Sequence, residues 1–217
     1  MGIEKNPADF LPSDVEAVVA SERNYAARYN RQSEPRAILL AGQPGAGKTV
    51  LSSMLNKLLC GNVYFINADE YRRFHPNYKE LYARYGSDSV QMTSGFSGAV
   101  TERLIHETSE RGIHLIIEGT GRTTDVPHRT AELLVKKGYR VELAVIATRP
   151  EHSLCSTLLR FYEMNERGTI PRATAMEAHD YVVRVLPDNL DVLRDDPVIS
   201  GITIWDRTPT KIYDSCG

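Results

Sequence analysis

The run Gly42-Gln43-Pro44-Gly45-Ala46-Gly47-Lys48-Thr49 satisfies the pattern G-x-x-x-x-G-K-[ST] in full. Glycines at those places let the backbone curl until successive N–H groups point inward at phosphate oxygens. A helix opening at the end of the run adds the positive end of its dipole. In that setting Lys48 reaches the β- and γ-phosphates and the Thr49 hydroxyl ligates Mg²⁺. The expected ligand is ATP with its Mg²⁺, cradled by Gly42, Gln43, Pro44, Gly45, Ala46, Gly47, Lys48 and Thr49.

A triphosphate site is compatible with a switch, a motor or a kinase. No Asn-Lys-x-Asp element for reading guanine occurs, and 217 residues leave little room for a motor's accessory parts. The class that remains is a small-molecule or nucleotide kinase. Such an enzyme must activate an acceptor hydroxyl, hold it in line with the γ-phosphate and neutralise the transferring group. Asp69 follows the apolar run Val63 to Ile66 and suits a base or an orienting group for that hydroxyl. The same position equally suits the N-cap of the next helix. Glu118 closes Leu115-Ile116-Ile117 in the manner of a Walker B strand, placed for a Mg²⁺-bound water or an acceptor sugar. The plainer alternative is a surface acid at a strand end.

Arg160 and Arg172 flank Phe161 to Pro171, a segment containing Gly168 and suited to a lid. Two guanidinium groups over the triphosphate would stabilise charge on the transferring group, although either arginine taken singly fits a solvated surface. Glu102 lies in a helical stretch rich in charge, where spacing alone favours solvation, and His75-Pro76-Asn77-Tyr78 reads as a turn.

The elements that must position these groups alternate along the chain. Ser13-Asp14-Val15-Glu16 has capping-box form and opens a helix reaching Tyr29. Apolar runs at Ala37–Ala41, Val63–Ile66, His114–Ile117 and Val141–Ala147 read as buried strands. Between and after them, Lys48–Leu59, Thr93–Arg111, Val126–Lys137, Glu151–Glu166 and Ala175–Arg194 read as helices. Ile202–Trp205 and Lys211–Tyr213 read as late strands. This alternation predicts an α/β fold: a parallel sheet of the P-loop NTPase type, covered by helices on both faces. Residues 1–34 are expected to form an N-terminal helical segment and 35–217 a P-loop kinase domain.

Composition narrows the partners. Lysine and arginine number 26 against 28 aspartate and glutamate, a net charge of −2. A nucleic-acid coat or anionic-membrane binder would carry a basic excess, so no nucleic acid and no membrane are expected, and bound anions must be held by a local site. The three cysteines, Cys60, Cys155 and Cys216, form neither a metal spacing nor a disulfide framework, which fits a reducing compartment. The first residues carry charges and prolines without an apolar stretch, so a cytoplasmic protein is expected.

Taken together, three of these motifs resemble the zeta toxin family of bacterial toxin–antitoxin systems. They are Gly42 to Thr49, Asp69 with His75-Pro76-Asn77-Tyr78, and Ile117-Glu118-Gly119-Thr120-Gly121-Arg122-Thr123-Thr124-Asp125. The similarity continues through Arg160-Phe161-Tyr162-Glu163-Met164, Arg172-Ala173-Thr174 and Ala178-His179-Asp180, and spans Pro35 to Tyr213. The resemblance implies an ATP-dependent kinase acting on a sugar hydroxyl of UDP-N-acetylglucosamine or a related UDP-amino sugar. Its product would starve cell-wall synthesis, and a small helical epsilon-type antitoxin would block it. Asp69 then matches the catalytic base, and Lys48, Arg160 and Arg172 match the cations around the γ-phosphate. Glu102, Glu118, Thr120, Arg122 and Thr130 match substrate contacts. The segment between Arg160 and Arg172 is slightly shorter than the family pattern. Another small-molecule kinase on the same loop, acting on an antibiotic or nucleoside, and a non-catalytic ATP-dependent regulatory module are the alternative readings.

Overall fold

Side chains of a strand alternate between faces, and here the alternation separates two apolar layers. In β1 (Arg36–Ala41), Ala37, Leu39 and Ala41 join one core and Ile38 and Leu40 the other. The first core also takes Leu115 and Ile117 from β3 (His114–Glu118), and Val141, Leu143 and Val145 from β4 (Arg140–Ile146). The second takes Ile116, Ala144 and Ile146 from the same strands. Strands buried on both faces must be covered by helices on both faces, as expected for a parallel sheet.

The computed structural model describes residues 6–171 and 174–215. Arg172 and Cys216 lie outside the described residues. The sheet order is β2-β3-β1-β4-β5-β6, with β2 at Val63–Asn67, β5 at Gly201–Trp205 and β6 at Lys211–Asp214. Every neighbouring pair is parallel except β5 with β6, which is antiparallel. The last strand thus departs from the expected all-parallel pattern. Asp206 explains the reversal: its Oδ1 accepts the N–H groups of Thr208 and Thr210 at 2.8 Å, turning the chain straight back on itself.

The helices are α1 (Pro12–Ala26), α2 (Lys48–Leu58), α3 (Ala68–Tyr71), α4 (Tyr78–Tyr85), α5 (Ser89–Met92), α6 (Ser94–Glu110), α7 (Asp125–Lys136), α8 (Pro150–Glu166) and α9 (Met176–Arg194). Helix α2 lays Leu51 and Leu55 on one face of the sheet. On the opposite face, α1, α6, α7 and α9 bring Val19, Phe96, Leu134 and Val182 into a single core. Each such side chain taken from water contributes about 1.5–3 kcal/mol. The α1 contacts extend beyond apolar packing: Arg23 bridges to Glu107 of α6 at 2.8 Å, and the Tyr64 hydroxyl donates to Glu22 at 2.6 Å.

Two local expectations are corrected. The N-cap of α1 is Leu11, with Pro12 opening the first turn and Asp14 Oδ2 accepting the Leu11 N–H at 2.7 Å. The Ser13 capping box is displaced because proline, which lacks an N–H, already occupies the start of the helix. Between β2 and α6 the sequence offers only a helix of undefined extent after Asp69 and a turn at His75–Tyr78. It forms α3, α4 and α5 joined by 3₁₀ turns at Arg72–Phe74 and Gly86–Asp88. No helix among the described residues is long and apolar enough to cross a membrane.

Candidate functional site

After β1 the chain crosses beyond β3 to form β2, and after β3 it crosses back beyond β1 to form β4. Connections that leave in opposite directions open a crevice at the carboxyl ends of the strands between them. The register places Asn67, Glu118 and Leu40 side by side across β2, β3 and β1. The segments leaving those strands, Ala68-Asp69, Gly119-Thr120 and Gly42 to Thr49, therefore share one edge of the sheet.

The phosphate loop has the backbone its glycines allow. Gly45 and Gly47 sit at φ +75° and +104°, where an L-residue is strained. Gly45 also packs so closely on the first turn of α8 that a Cβ there would fall 2.0 Å from the Ser153 carbonyl oxygen. Gly45→Ala is expected to lower stability by about 2 kcal/mol, or about 4–8 °C in Tm. Thermal melts of purified protein check this, and a Tm within one degree of wild type would contradict it.

Helix α2 begins at Lys48 with no side-chain cap and no acidic residue in its first turn. Its leading N–H groups and dipole thus favour an anion. The Lys48 ammonium folds back over the loop, donating to the Gly42 carbonyl at 2.8 Å and the Gln43 carbonyl at 3.2 Å. It lies 3.9 Å from Glu118 Oε1. Burial pushes the Lys48 pKa below its ordinary value; the charges of Glu118 and Asp69 oppose that shift and the charge of Arg160 adds to it. Glu118, Asp69 and Arg160, drawn from three other segments, thus all act on the Lys48 charge, Glu118 from 3.9 Å.

Each of these groups is held by neighbours. Glu118 Oε2 accepts from Asn67 Nδ2 at 3.1 Å, so adjacent strand ends fix the carboxylate. Asn67 also caps α3, its Oδ1 accepting the Asp69 N–H at 3.0 Å. The capping role that the position of Asp69 allowed thus belongs to the residue two before it, leaving the Asp69 carboxylate exposed in the first turn. Arg72 Nε donates to Asp69 Oδ1 at 2.9 Å while its Nη1 donates to the Val90 carbonyl at 2.6 Å. Arg160, in the second half of α8, places Nη2 3.5 Å from Thr174 Oγ1.

The remaining expected residues are less closely grouped. Thr49 is exposed in the first turn of α2. Thr120 is half-buried, its Oγ1 accepting the Arg122 N–H at 3.4 Å, and Arg122 is exposed. The loop carrying both is pinned to α9 by Asn189, which donates to the Gly121 carbonyl at 2.9 Å. Thr130 is half-buried on α7, whereas Glu102 is exposed on α6 away from its buried Phe96–Val100–Leu104 stripe.

A phosphate group fits the loop, as the uncapped helix and the folded-back ammonium show. A metal is a different matter, because no group of three or more His, Cys, Asp or Glu among the described residues is placed to hold one. Mg²⁺ would need the Thr49 hydroxyl together with oxygens from the nucleotide itself, the usual manner of holding this ion.

Sequence reasoning missed Asn67, Arg72 and Ser153. The i,i+3 spacing of Asp69 and Arg72 was a readable signal for one of them. For the partner of Asn67, 51 residues away, no local signal exists.

With this geometry established, comparison with known proteins is informative. Residues 20–217 match the family model described as zeta toxin. The chain is 42% identical over 209 residues to toxin PezT of Streptococcus pneumoniae serotype 4, covering 95% of this chain and 83% of that protein. It is 41% identical over 182 residues to toxin zeta of Streptococcus pyogenes, covering 83% of this chain and 63% of that protein. The solved structure of the Streptococcus pneumoniae PezAT chromosomal toxin–antitoxin system superposes with a TM-score of 0.87 at 38% identity, covering 98% of this chain and 84% of that one. The phosphate loop, the sheet order and the residues at its carboxyl edge agree with a match over nearly the whole length, and the chain belongs to the zeta toxin family.

Proposed function

We propose that this chain is an ATP-dependent phosphotransferase whose acceptor is a sugar hydroxyl of UDP-N-acetylglucosamine or a related UDP-amino sugar. We propose further that it acts as the toxin of a toxin–antitoxin pair. The observation that carries the reading is the convergence on Lys48 of Glu118, Asp69 and Arg160 at the mouth of the phosphate loop. An ATPase switch has no need of a second, solvent-accessible carboxylate such as Asp69 acting on the Lys48 charge, whereas transfer to a hydroxyl does.

In this reading Asp69 takes the proton of the acceptor hydroxyl, with Arg72 orienting the carboxylate. Lys48 leaves its two loop carbonyls for the β- and γ-phosphate oxygens, exchanging neutral acceptors for charged ones in a site of low dielectric. Arg160 and Arg172 balance charge on the transferring group. The Thr49 hydroxyl would help to hold Mg²⁺, which would supply positive charge against the phosphates. Glu118, fixed by Asn67, faces the acceptor sugar with Thr120 and Arg122, while Glu102 and Thr130 complete the sugar contacts on the strength of the family resemblance. The solved PezAT pair supports an antitoxin as the partner of this chain.

The test is an acceptor screen. Purified protein is incubated with ATP·Mg²⁺ and a panel of UDP-sugars, nucleosides and aminoglycosides, with products followed by mass spectrometry. The expected result is a gain of one phosphate on UDP-N-acetylglucosamine or a related UDP-amino sugar. Phosphorylation confined to a nucleoside or antibiotic would replace the acceptor assignment, and ATP binding with no transfer would point to a regulatory module.

A further inference from the structure

His179, the first buried residue of α9, has a relative exposure of 0% and hydrogen bonds from both ring nitrogens. Nδ1 lies 2.8 Å from Asp180 Oδ1 and Nε2 lies 2.7 Å from Ser153 Oγ on the first turn of α8. The carboxylate can only accept, so Nδ1 carries the hydrogen. In the neutral ring Nε2 then accepts the Ser153 hydroxyl proton. Ser153 Oγ also lies 2.9 Å from the Pro150 carbonyl and 3.4 Å from the Arg149 carbonyl of its own helix turn, which share its hydrogen with His179 Nε2, and its lone pairs accept from Gln43 Nε2 of the phosphate loop at 3.3 Å.

Gln43 is itself buried, and its carboxamide also donates to the Thr148 carbonyl at 2.7 Å. The backbone carbonyl of this same residue accepts the Lys48 ammonium. The contact between Gly45 and the Ser153 carbonyl lies beside this chain of bonds. A connected path therefore runs from α9 through His179 and Ser153 into the phosphate loop and on to Lys48.

The path has a second end. Thr174, just before α9, lies beside Arg160 in the second half of α8, while His179 lies against the first turn of α8. Thr174 and His179 thus meet α8 at two separate places, and the His179–Ser153 bond fastens the start of α9 to the first turn of that helix. We infer that Ser153 and His179 form a positioning pin, one that holds Gln43 and the phosphate loop in the shape that binds nucleotide and joins them to the segment carrying Arg160. This rests on the proposed nucleotide site and adds to it two residues that never touch substrate.

The experiment compares Ser153→Ala, His179→Leu, His179→Gln and the double variant Ser153→Ala/His179→Leu, with ATP·Mg²⁺ affinity measured by titration calorimetry alongside Tm. Loss of this hydrogen-bonded link to the loop should weaken ATP binding about tenfold in Ser153→Ala and in His179→Leu. Because both act through one bond, the double variant should be no weaker than the weaker single one. His179→Gln, whose amide reaches the Nε2 position, should recover most of the affinity. A residue that only packs would lower Tm and leave affinity unchanged. Folded variants that bind ATP within twofold of wild type, or singles whose effects simply add, would overturn the pin while wild-type binding leaves the nucleotide site standing. Absence of ATP binding by the wild-type chain would instead remove the nucleotide site, and the pin with it. Should His179→Leu fail to fold, Ser153→Ala and His179→Gln decide the matter alone.

Discussion

Asp69→Asn protein is expected to bind ATP·Mg²⁺ with wild-type affinity and to transfer phosphate about 10³-fold more slowly. Asparagine matches aspartate in shape and still offers Arg72 an oxygen, so the first turn of α3 is undisturbed. What it lacks is the capacity to take a proton from the acceptor hydroxyl, and a positioned base accounts for about 10²–10⁴ in rate. The Asp69 side chain is 58% exposed and ion-paired with Arg72 at 2.9 Å. Stability should therefore move by less than about 0.5 kcal/mol. Single-turnover transfer assays with ATP binding measured in parallel separate the two effects. Transfer within tenfold of wild type would remove Asp69 as the base, and loss of ATP binding would mean that it serves the nucleotide instead.

Lys48→Met carries the second large effect, and it acts in opposite directions on activity and stability. Methionine keeps most of the aliphatic stem and removes the charge that neutralises the phosphates, so kcat/KM should fall about 10²–10³-fold. The folded chain, in contrast, is relieved of a buried ammonium. Burial holds the Lys48 pKa below its unfolded value, with Glu118 and Asp69 only partly compensating. A group whose folded pKa is depressed in this way binds its proton less tightly in the folded state, so the charged form costs stability. That cost is fully present below the folded pKa, declines as pH rises between the folded and unfolded values, and is gone above the unfolded value near pH 10.4. Lys48→Met should accordingly be at least as stable as wild type at neutral pH, with an advantage that shrinks toward alkaline pH. Chemical denaturation at several pH values checks the sign: a variant less stable at pH 7 would mean that the ammonium is a structural tie between Gly42, Gln43 and Glu118. The combination of lower activity and undiminished stability is the mark of a group retained for function rather than for the fold.

These effects differ in how far they were legible in the chain. The phosphate loop was readable because its chemistry is local: a backbone that must visit positive φ at Gly45 and Gly47 demands glycine at fixed spacing, and Lys48 follows immediately. The central strands were readable because a sheet buried on both faces requires uninterrupted apolar runs, and β1, β3 and the Leu143–Ile146 part of β4 supply them. The region from Ala68 to Met92 was not, since helices as short as α3 and α5 are held by tertiary contacts rather than by propensity. The reversal into β6 escaped as well, because a turn organised by one aspartate leaves only a weak trace in a sequence.

Asp69 and Glu118 show the division most clearly. The residues alone determined that each carboxylate follows a strand, and therefore which end of a parallel sheet it occupies. Which strands are neighbours was decided only by the fold, where β3 lies between β1 and β2 and brings Asn67, 51 residues away, onto Glu118. The same holds for Ser153 and His179, 26 residues apart on two helices. Sequence spacing governs groups that share a helix turn or a loop, because backbone geometry there is local. Groups that meet across the sheet or between helices depend on strand order and packing, which are set by burial summed over the whole chain.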